Sequence, residues 1–461
     1  MERSEAYYRA QPRSMTRRDI DRKPAGKGAG ATGGFANLAP RRRGLTAHPQ
    51  LLRTSLSRYH LPMSHKMMIS EYPLDQAYVV KNFDDILTPA LLVYPDIIQN
   101  NIERTLHLLE GNADRWRAHI KTAKLAFTLK MLIARGVRNF KCATTLELLT
   151  ACECGAADIL LAYPIVGANA RRVREIADQF PDIKISVLAE NEGQIRQWEG
   201  SRIGIFIDIN SGMNRTGIEE SRATAIQALV EAVAKSGLVF RGLHYYDGHH
   251  GALAEPDRLT AAHFGYDRLM AIIAIVESAG HSVPEVITAG TPTFPASLAY
   301  PGFRNAKFVH RISPGTVVYG DATMLSQLPA AYGYKPAVLV AARVVSHPRP
   351  AIVTCDGGHK AVSADAGVPT CIVLGHEELT GIGPSEEHLP LTVSEGAEPP
   401  PVGEVLYLLP RHICPTVNLF DDALIVRGGA IEAVESVTAR GRETPVVLRG
   451  ENRELSQTAT R

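Results

Sequence analysis

The chain has 461 residues, 45% of them hydrophobic and 21% charged, with a formal charge of +2. Its length exceeds what one small core needs, and its near-neutral balance gives no global field for nucleic acid or acidic lipid, so neither partner is expected. Six scattered cysteines do not make a disulfide framework and no run reads as apolar enough to cross a bilayer, which together point to a reducing, cytoplasmic compartment.

Residues 1–75 are rich in Arg, Gly and Ala without periodicity and read as a disordered extension, set aside from the fold. A targeting peptide is disfavoured by Glu2, Glu5, Asp19 and Asp21; a true start near Met63 or Met67 is the other reading. From Asp85 strands and helices alternate. "ALLVYPD" (90–96) reads as a strand and "IIQNNIERTLHLLEG" as a helix with apolar spacing of three and four. "RWRAHIKT" and "NFKCATT" are strands, followed by the helical "LAFTLKMLIARGV" and "LELLTACECGA". "DILLAYP", "KISVLAE", "IGIFIDIN", "LVFRGLHYY", "PEVITAG" and "GTVVYG" are further short β-branched runs, most of them separated by helical stretches. This alternation predicts an α/β fold, a (β/α)8 TIM barrel over 85–333. An open doubly wound sheet is disfavoured because no G-x-G-x-x-G follows the first strand. Beyond Tyr334 only short strands between Gly, Pro and Asp turns remain, so 334–450 reads as a C-terminal β domain with a frayed tail after it.

In such barrels chemistry sits where strands end at their C-termini. Lys121 ends "RAHIK", Arg215 follows "IFIDIN", Tyr246, Asp247, His249 and His250 follow "LHY", and Thr288, Gly290, Thr291 and Thr293 follow "EVI". A lysine at a strand end is either a Schiff-base former or a solvated surface residue. The Gly/Thr turn "TAGTPT" offers backbone N–H groups and hydroxyls to a phosphate, and Arg215 reads equally as a turn arginine paired with a carboxylate. His249 and His250 suit acid/base work or a loop cap. Further on, "RHICPTVNLFD" places His412 and Cys414 two apart after "EVLYLL". In extended chain such residues point to one side and could face one ion, although two ligands alone also fit an ordinary β-domain pair. Cys152 and Cys154, on a predicted helix, read as packing cysteines.

The ordered motifs "HIKTAK", "CATTLEL", "DILLAYPIVG", "DINSGMNRTG", "GLHYYDGHHG", "AGTPT" and "SPGTVVYGD" resemble the alanine-racemase-like barrels that bind pyridoxal 5'-phosphate (PLP), the fold-type III enzymes. "CDGGHKAVSADAG", "SEEH" and "HICPTVNLFDDALIVRGG" resemble the β domain of the D-threonine aldolase and eukaryotic-type D-serine dehydratase branch. The resemblance implies that Lys121 carries the cofactor, that Arg215 approaches its phenolic oxygen, and that Tyr246, Gly290 and Thr291 complete the cofactor site. It implies His412 and Cys414 as ligands of a divalent metal, with zinc favoured by the soft thiolate over manganese or magnesium. Glu386, Glu387 and His388 would stand behind that metal or form a solvated loop. His249 joins Lys121 as a catalytic candidate. The implied activity is a lyase acting on a small β-hydroxy D-amino acid, by retro-aldol cleavage to glycine and an aldehyde. D-serine dehydration is the alternative; a racemase or a non-catalytic PLP carrier ranks lower. A homodimer is implied, the β domain of one chain covering the other's barrel mouth. The sequence departs from the family pattern at Ala118, Ala123 and Ala289, where Pro, His and Gly are usual, and Cys414 stands where aldolase relatives often carry Asp although "PTVNL" beside it is aldolase-like.

Overall fold

The structure, a computed structural model, describes residues 73–445. All but the last three residues of the expected N-terminal extension, and the tail after 445, lie outside that range. In chain order the strands of the first half are β1 (Ala90–Val93), β2 (Arg117–His119), β3 (Asn139–Cys142), β4 (Asp158–Leu161), β5 (Lys184–Ala189), β6 (Gly204–Asn210), β7 (Ile218–Glu219), β8 (Val239–Tyr245), β9 (Glu285–Thr288) and β10 (Val309–Ile312).

Eight of these run parallel in the order β10-β9-β8-β6-β5-β4-β3-β2, and a parallel bridge between Trp116 and Ile312 joins the two ends, so the sheet closes into a barrel. The short β7 only edges β6. Every residue of β3, β4 and β9 is buried, because helices cover the outside and side chains fill the inside. Leu160, Leu188, Phe206 and Ile287 form the apolar plug of the interior. Outside, the helix Ala168–Gln179 buries Ala170, Val173, Ile176 and Ala177, one stripe of a 3.6-residue period. The helix Glu255–Ser278 is, by length and composition, apolar enough to cross a bilayer, which corrects the sequence reading that no run is. It turns Ala262, Tyr266, Leu269, Ile272, Ile273 and Val276 into the protein core.

The second half contributes β11 (Val338–Arg349), β12 (Ile352–Cys355), β13 (Cys371–Val373), β14 (Leu379–Gly381), β15 (Leu389–Val393), β16 (Val405–Pro410), β17 (Asp422–Arg427) and β18 (Ala430–Ser436). They build a second sheet, and β1 belongs to it rather than to the barrel: it lies between β11, antiparallel, and β17, parallel. Buried on both faces, β1 carries no alternation that would assign it to either sheet. A second correction concerns "GTVVYG". It forms a 3-10 turn at Thr316–Val318, and the eighth barrel strand is β10 just before it. Gly315 explains the break, since a Cβ there would lie 2.2 Å from the His119 carbonyl oxygen. A third correction is that Ile413–Val417 is a short helix with His412 at its N-cap, not extended chain.

Charges close the end of the barrel where the strands begin. Arg117, fully buried, donates to Glu285 at 2.8 and 2.9 Å and to Asp158 at 2.9 Å. Arg241 also meets Asp158, and Arg311 bridges Glu285 and Asp114. Burial works to raise the Asp158 carboxyl, but the two guanidiniums outweigh it and hold it below the ordinary value. Breaking such a pair strands a buried charge, so Arg117→Ala should lower unfolding free energy by roughly 3–5 kcal/mol in urea titrations. The Asp158 contribution should be complete above pH ~4, its unfolded value, and fade as pH falls through its depressed folded value.

Candidate active site

At the opposite end, where the barrel strands finish, the chain lines a half-open cavity of about 370 Å³. Its wall has a barrel side with His119, Lys121, Tyr246, His249, Gly290 and Thr291, and a sheet side with Asp365, Arg411, His412 and Cys414. Seven of these carry expectations from the sequence: Lys121, Tyr246, His249, Gly290, Thr291, His412 and Cys414 all meet here, within one chain.

Lys121 leaves the end of β2 half-buried, and among the described residues its amine has no hydrogen bond or ion pair. Below it stands His119, whose Nδ1 accepts the Lys121 backbone N–H at 3.4 Å and whose ring burial drives well below the usual imidazole range. Deeper still, Lys141 is buried with its amine 3.3 Å from His244 Nε2, and His244 Nδ1 lies 2.7 Å from Asp208. Burial, then the Lys121 charge, push the Lys141 amine far down.

The Gly/Thr turn is fixed from behind. The buried Asp247 accepts the hydroxyls of Thr293 and Tyr266, both at 2.5 Å. Thr293 Oγ1 in turn accepts the Gly290 N–H at 3.3 Å. Gly290 must lack a side chain, because a Cβ would sit 2.8 Å from the Tyr246 ring. Ala289 is held at φ 61°, a left-handed conformation that costs a residue with a Cβ about 1–2 kcal/mol. His249 stacks beside His250 with ring centroids 3.9 Å apart, and its Nδ1 is buried with no partner among the described residues. Burial, then the neighbouring His250, lower its pKa, so the ring is neutral near pH 7.

Arg215 is not on the cavity wall. Its guanidinium stacks on the Tyr246 ring at 4.9 Å, and the residue is exposed in a turn built on Asn210, whose Oδ1 accepts the N–H groups of Gly212 and Asn214. Tyr246 thus separates it from the cavity interior. Glu386 and Glu387 pair with Lys360 on the surface, and the carboxylate that orients His412 is Asp365, 2.7 Å from Nδ1. Asp365 lies in "SADAG", Asp321 in "VYGD" and His119 in "HIKTAK", so three unassigned site residues stood inside recognised motifs.

The two sides are held together at the His412 helix. Asp321, buried, accepts the Met324 N–H at 2.7 Å and the Ile413 N–H at 3.0 Å. Thr323 Oγ1 donates to the Arg411 carbonyl at 2.7 Å, and the Thr122 hydroxyl, next to Lys121, lies 3.0 Å from Cys414 Sγ. Burial alone would lower the His412 imidazole, yet the hydrogen bonds to Asp365 and Cys414 carry it up to about 10. Burial alone would raise the Cys414 thiol, but His412 and then Lys121 hold it down. The pair therefore puts a ring nitrogen and a sulfur side by side on the cavity wall, each shifting the other toward its charged form. Among the described residues no three His, Cys, Asp or Glu side chains converge as a closed cage. A metal held by these two side chains alone would keep open positions, as catalytic rather than structural sites do, and an acceptor such as Asp365 on the other ring nitrogen is the usual outer support of a ligating histidine.

A barrel with a lysine amine, a Gly/Thr turn and a two-donor pair at its mouth defines the class. Residues 93–323 match the alanine racemase, N-terminal domain, and the chain belongs to that family of PLP-binding barrels. Residues 337–426 match the family described as "Putative serine dehydratase domain". The D-threonine aldolase of Arthrobacter sp is 26% identical over 358 residues, spanning 74% of this chain and 90% of the relative. The 3-hydroxy-D-aspartate aldolase of Paracoccus denitrificans (strain Pd 1222) is 25% identical over 373 residues, spanning 78% and 93%. The crystal structure of D-threonine aldolase from Filomicrobium marinum superposes with a TM-score of 0.70 at 26% identity, over 77% of this chain and 96% of that one.

Asp321→Ala would leave two buried N–H groups without an acceptor. It should lower stability by roughly 1–3 kcal/mol per orphaned group, read as the urea midpoint, with Asp321→Asn in between.

Proposed function

We propose that this chain is a PLP- and divalent-metal-dependent lyase that cleaves β-hydroxy D-amino acids between Cα and Cβ, in the manner of the D-threonine aldolases it is similar to. The observation that carries the reading is the juxtaposition of an unpaired lysine amine and a His–Cys donor pair on facing walls of one cavity. The residues fit both groups: Lys121 would hold PLP through its ε-amine, Gly290 and Thr291 would cradle the phosphate, and His412 with Cys414 would hold the metal, for which the soft sulfur ligand favours zinc. When bound, PLP supplies an electron sink at Cα and the metal a Lewis acid at the β-oxygen.

The chain's own residues do the rest. His412 and Cys414 fix where the β-oxygen lies relative to Lys121. His249, a neutral ring on the cavity wall, accepts the β-hydroxyl proton as the Cα–Cβ bond opens. Lys121 then delivers a proton to Cα as glycine leaves. The Tyr246 ring, with the Arg215 and Lys141 cations against it, would support the cofactor from the cavity wall. Dehydration is the second reading, favoured by the match of 337–426 and by a cysteine at 414. It needs the same groups but removes a proton from Cα and expels the β-oxygen. We place the enzyme in the cytoplasm, as a homodimer.

Product analysis tests the reading: with D-threonine the reconstituted enzyme should yield acetaldehyde and glycine, whereas 2-oxobutanoate and ammonia would reassign it as a dehydratase. Lys121→Ala should lose the visible absorption of bound PLP and turnover together. Chelation, or Cys414→Ala, should cut turnover by more than the roughly 10- to 100-fold that loss of a ligand's outer support costs, while that absorption persists; full activity without metal would refute the Lewis-acid role.

A further inference from the structure

Behind the Gly/Thr turn lies a buried cation that the proposed chemistry leaves unused. Arg258 stands in the first turn of the helix Glu255–Ser278 and is 7% exposed. Its Nε and Nη2 donate to the Leu253 carbonyl at 3.3 and 3.0 Å, and its Nη1 donates to the carbonyls of Pro292 at 3.2 Å and Gln327 at 2.7 Å. These carbonyls belong to three segments: the loop after His249 and His250, the Gly/Thr turn, and the helix Ala322–Gln327 that Asp321 caps. Gln327 closes the ring, its Nε2 donating to the Gly251 carbonyl at 3.0 Å. The segments touch so closely that a Cβ on Gly251 would lie 3.0 Å from the Pro292 side chain. Gly251, Pro292 and Gln327 all line the cavity. The planar fork of an arginine spans several carbonyls at fixed angles, which the single nitrogen of a lysine cannot do.

A buried cation bonded only to carbonyls is short of a counter-charge. Among the described residues Arg258 forms no ion pair with a carboxylate. Burial holds its guanidinium below the ordinary value, and the exposed Glu255 offsets that only in part. Asp247, the acid behind the same turn, gives its oxygens to Thr293 and Tyr266. On the cavity side, Thr291 offers a backbone N–H and a hydroxyl that have no partner among the described residues. Unspent donors in front of the turn and an unmatched cation behind it fit an anion of more than one charge on the cavity face. We propose that Arg258 is the clamp and the counter-charge of the phosphate site: it holds the three segments around the phosphate of PLP and offsets that phosphate's charge across the turn. This rests on the PLP part of the reading above. Arg258 acts through the segments it holds, as a positioning residue.

The test is equilibrium binding to the full chain freed of PLP, read from the visible absorption that forms at Lys121 and needing no turnover. PLP and pyridoxal, which lacks the phosphate, are titrated in parallel. In Arg258→Met the Kd for PLP should rise about 10-fold, the worth of one charge acting on another across ~10 Å at an effective dielectric of about 20, while the Kd for pyridoxal stays at the wild-type value. Arg258→Lys, which keeps the charge but not the fork, should recover part of the PLP affinity. Pyridoxal binding is the internal control for a folded site. Equal weakening for both ligands would make Arg258 a structural residue only and overturn the proposal, as would an unchanged Kd for PLP or a lysine variant no better than the methionine one. The two readings fail separately. A wild-type chain that binds neither ligand sinks both, and one that binds PLP equally well in all three forms sinks the phosphate proposal alone. The expected PLP-specific loss in a chain that cleaves no hydroxyamino acid would support the phosphate proposal and sink the lyase reading.

Discussion

Everything proposed for this protein depends on a seam a few atoms wide. Asp321, on the loop after the barrel's last strand, accepts the N–H of Ile413 in the second sheet's short helix, and the Thr122 hydroxyl touches Cys414 Sγ. Residue 122 follows Lys121, so the contact that positions the Cys414 sulfur is one residue from the amine. Neither layer alone lines the whole candidate site: the barrel offers an amine and a Gly/Thr turn, the sheet a nitrogen and a sulfur side chain. The seam converts two ordinary folding units into one cavity with opposite chemical walls.

The two ends of the barrel use charge differently. Where the strands begin, Arg117, Arg241 and Arg311 are matched against Asp158, Glu285 and Asp114, a network whose role is to hold the closed shape. Where they finish, groups are left unmatched among the described residues: the Lys121 amine, the Arg411 guanidinium and the His249 Nδ1. Ala289 keeps a left-handed backbone in the same region. Such departures from local satisfaction are tolerated where a ligand completes the arrangement.

The alternation of short strands and helices made the barrel legible, since period and length are local signals. The ordered motifs located Lys121, Tyr246, Gly290, Thr291, His412 and Cys414. What escaped was decided by tertiary contact. β1 is buried on both faces and pairs with strands far along the chain, so its own pattern could not say which sheet it joins. β10, only four residues long, was masked by the more β-branched "TVV" that follows, which the approach of Gly315 to His119 bends into a turn. The His412–Cys414 pair converges through a helix N-cap rather than through strand alternation. Asp365 reaches His412 from 47 positions away, and Arg215 is set apart by the ring of Tyr246, neither of which spacing reveals.

The most direct measurement is borohydride reduction of the PLP-loaded enzyme followed by peptide mass mapping. The account predicts a single pyridoxyl adduct, on Lys121, at the edge of the cavity that His412 and Cys414 close. An adduct on the buried Lys141 or on any other lysine, or no adduct from protein that has taken up PLP, would contradict it.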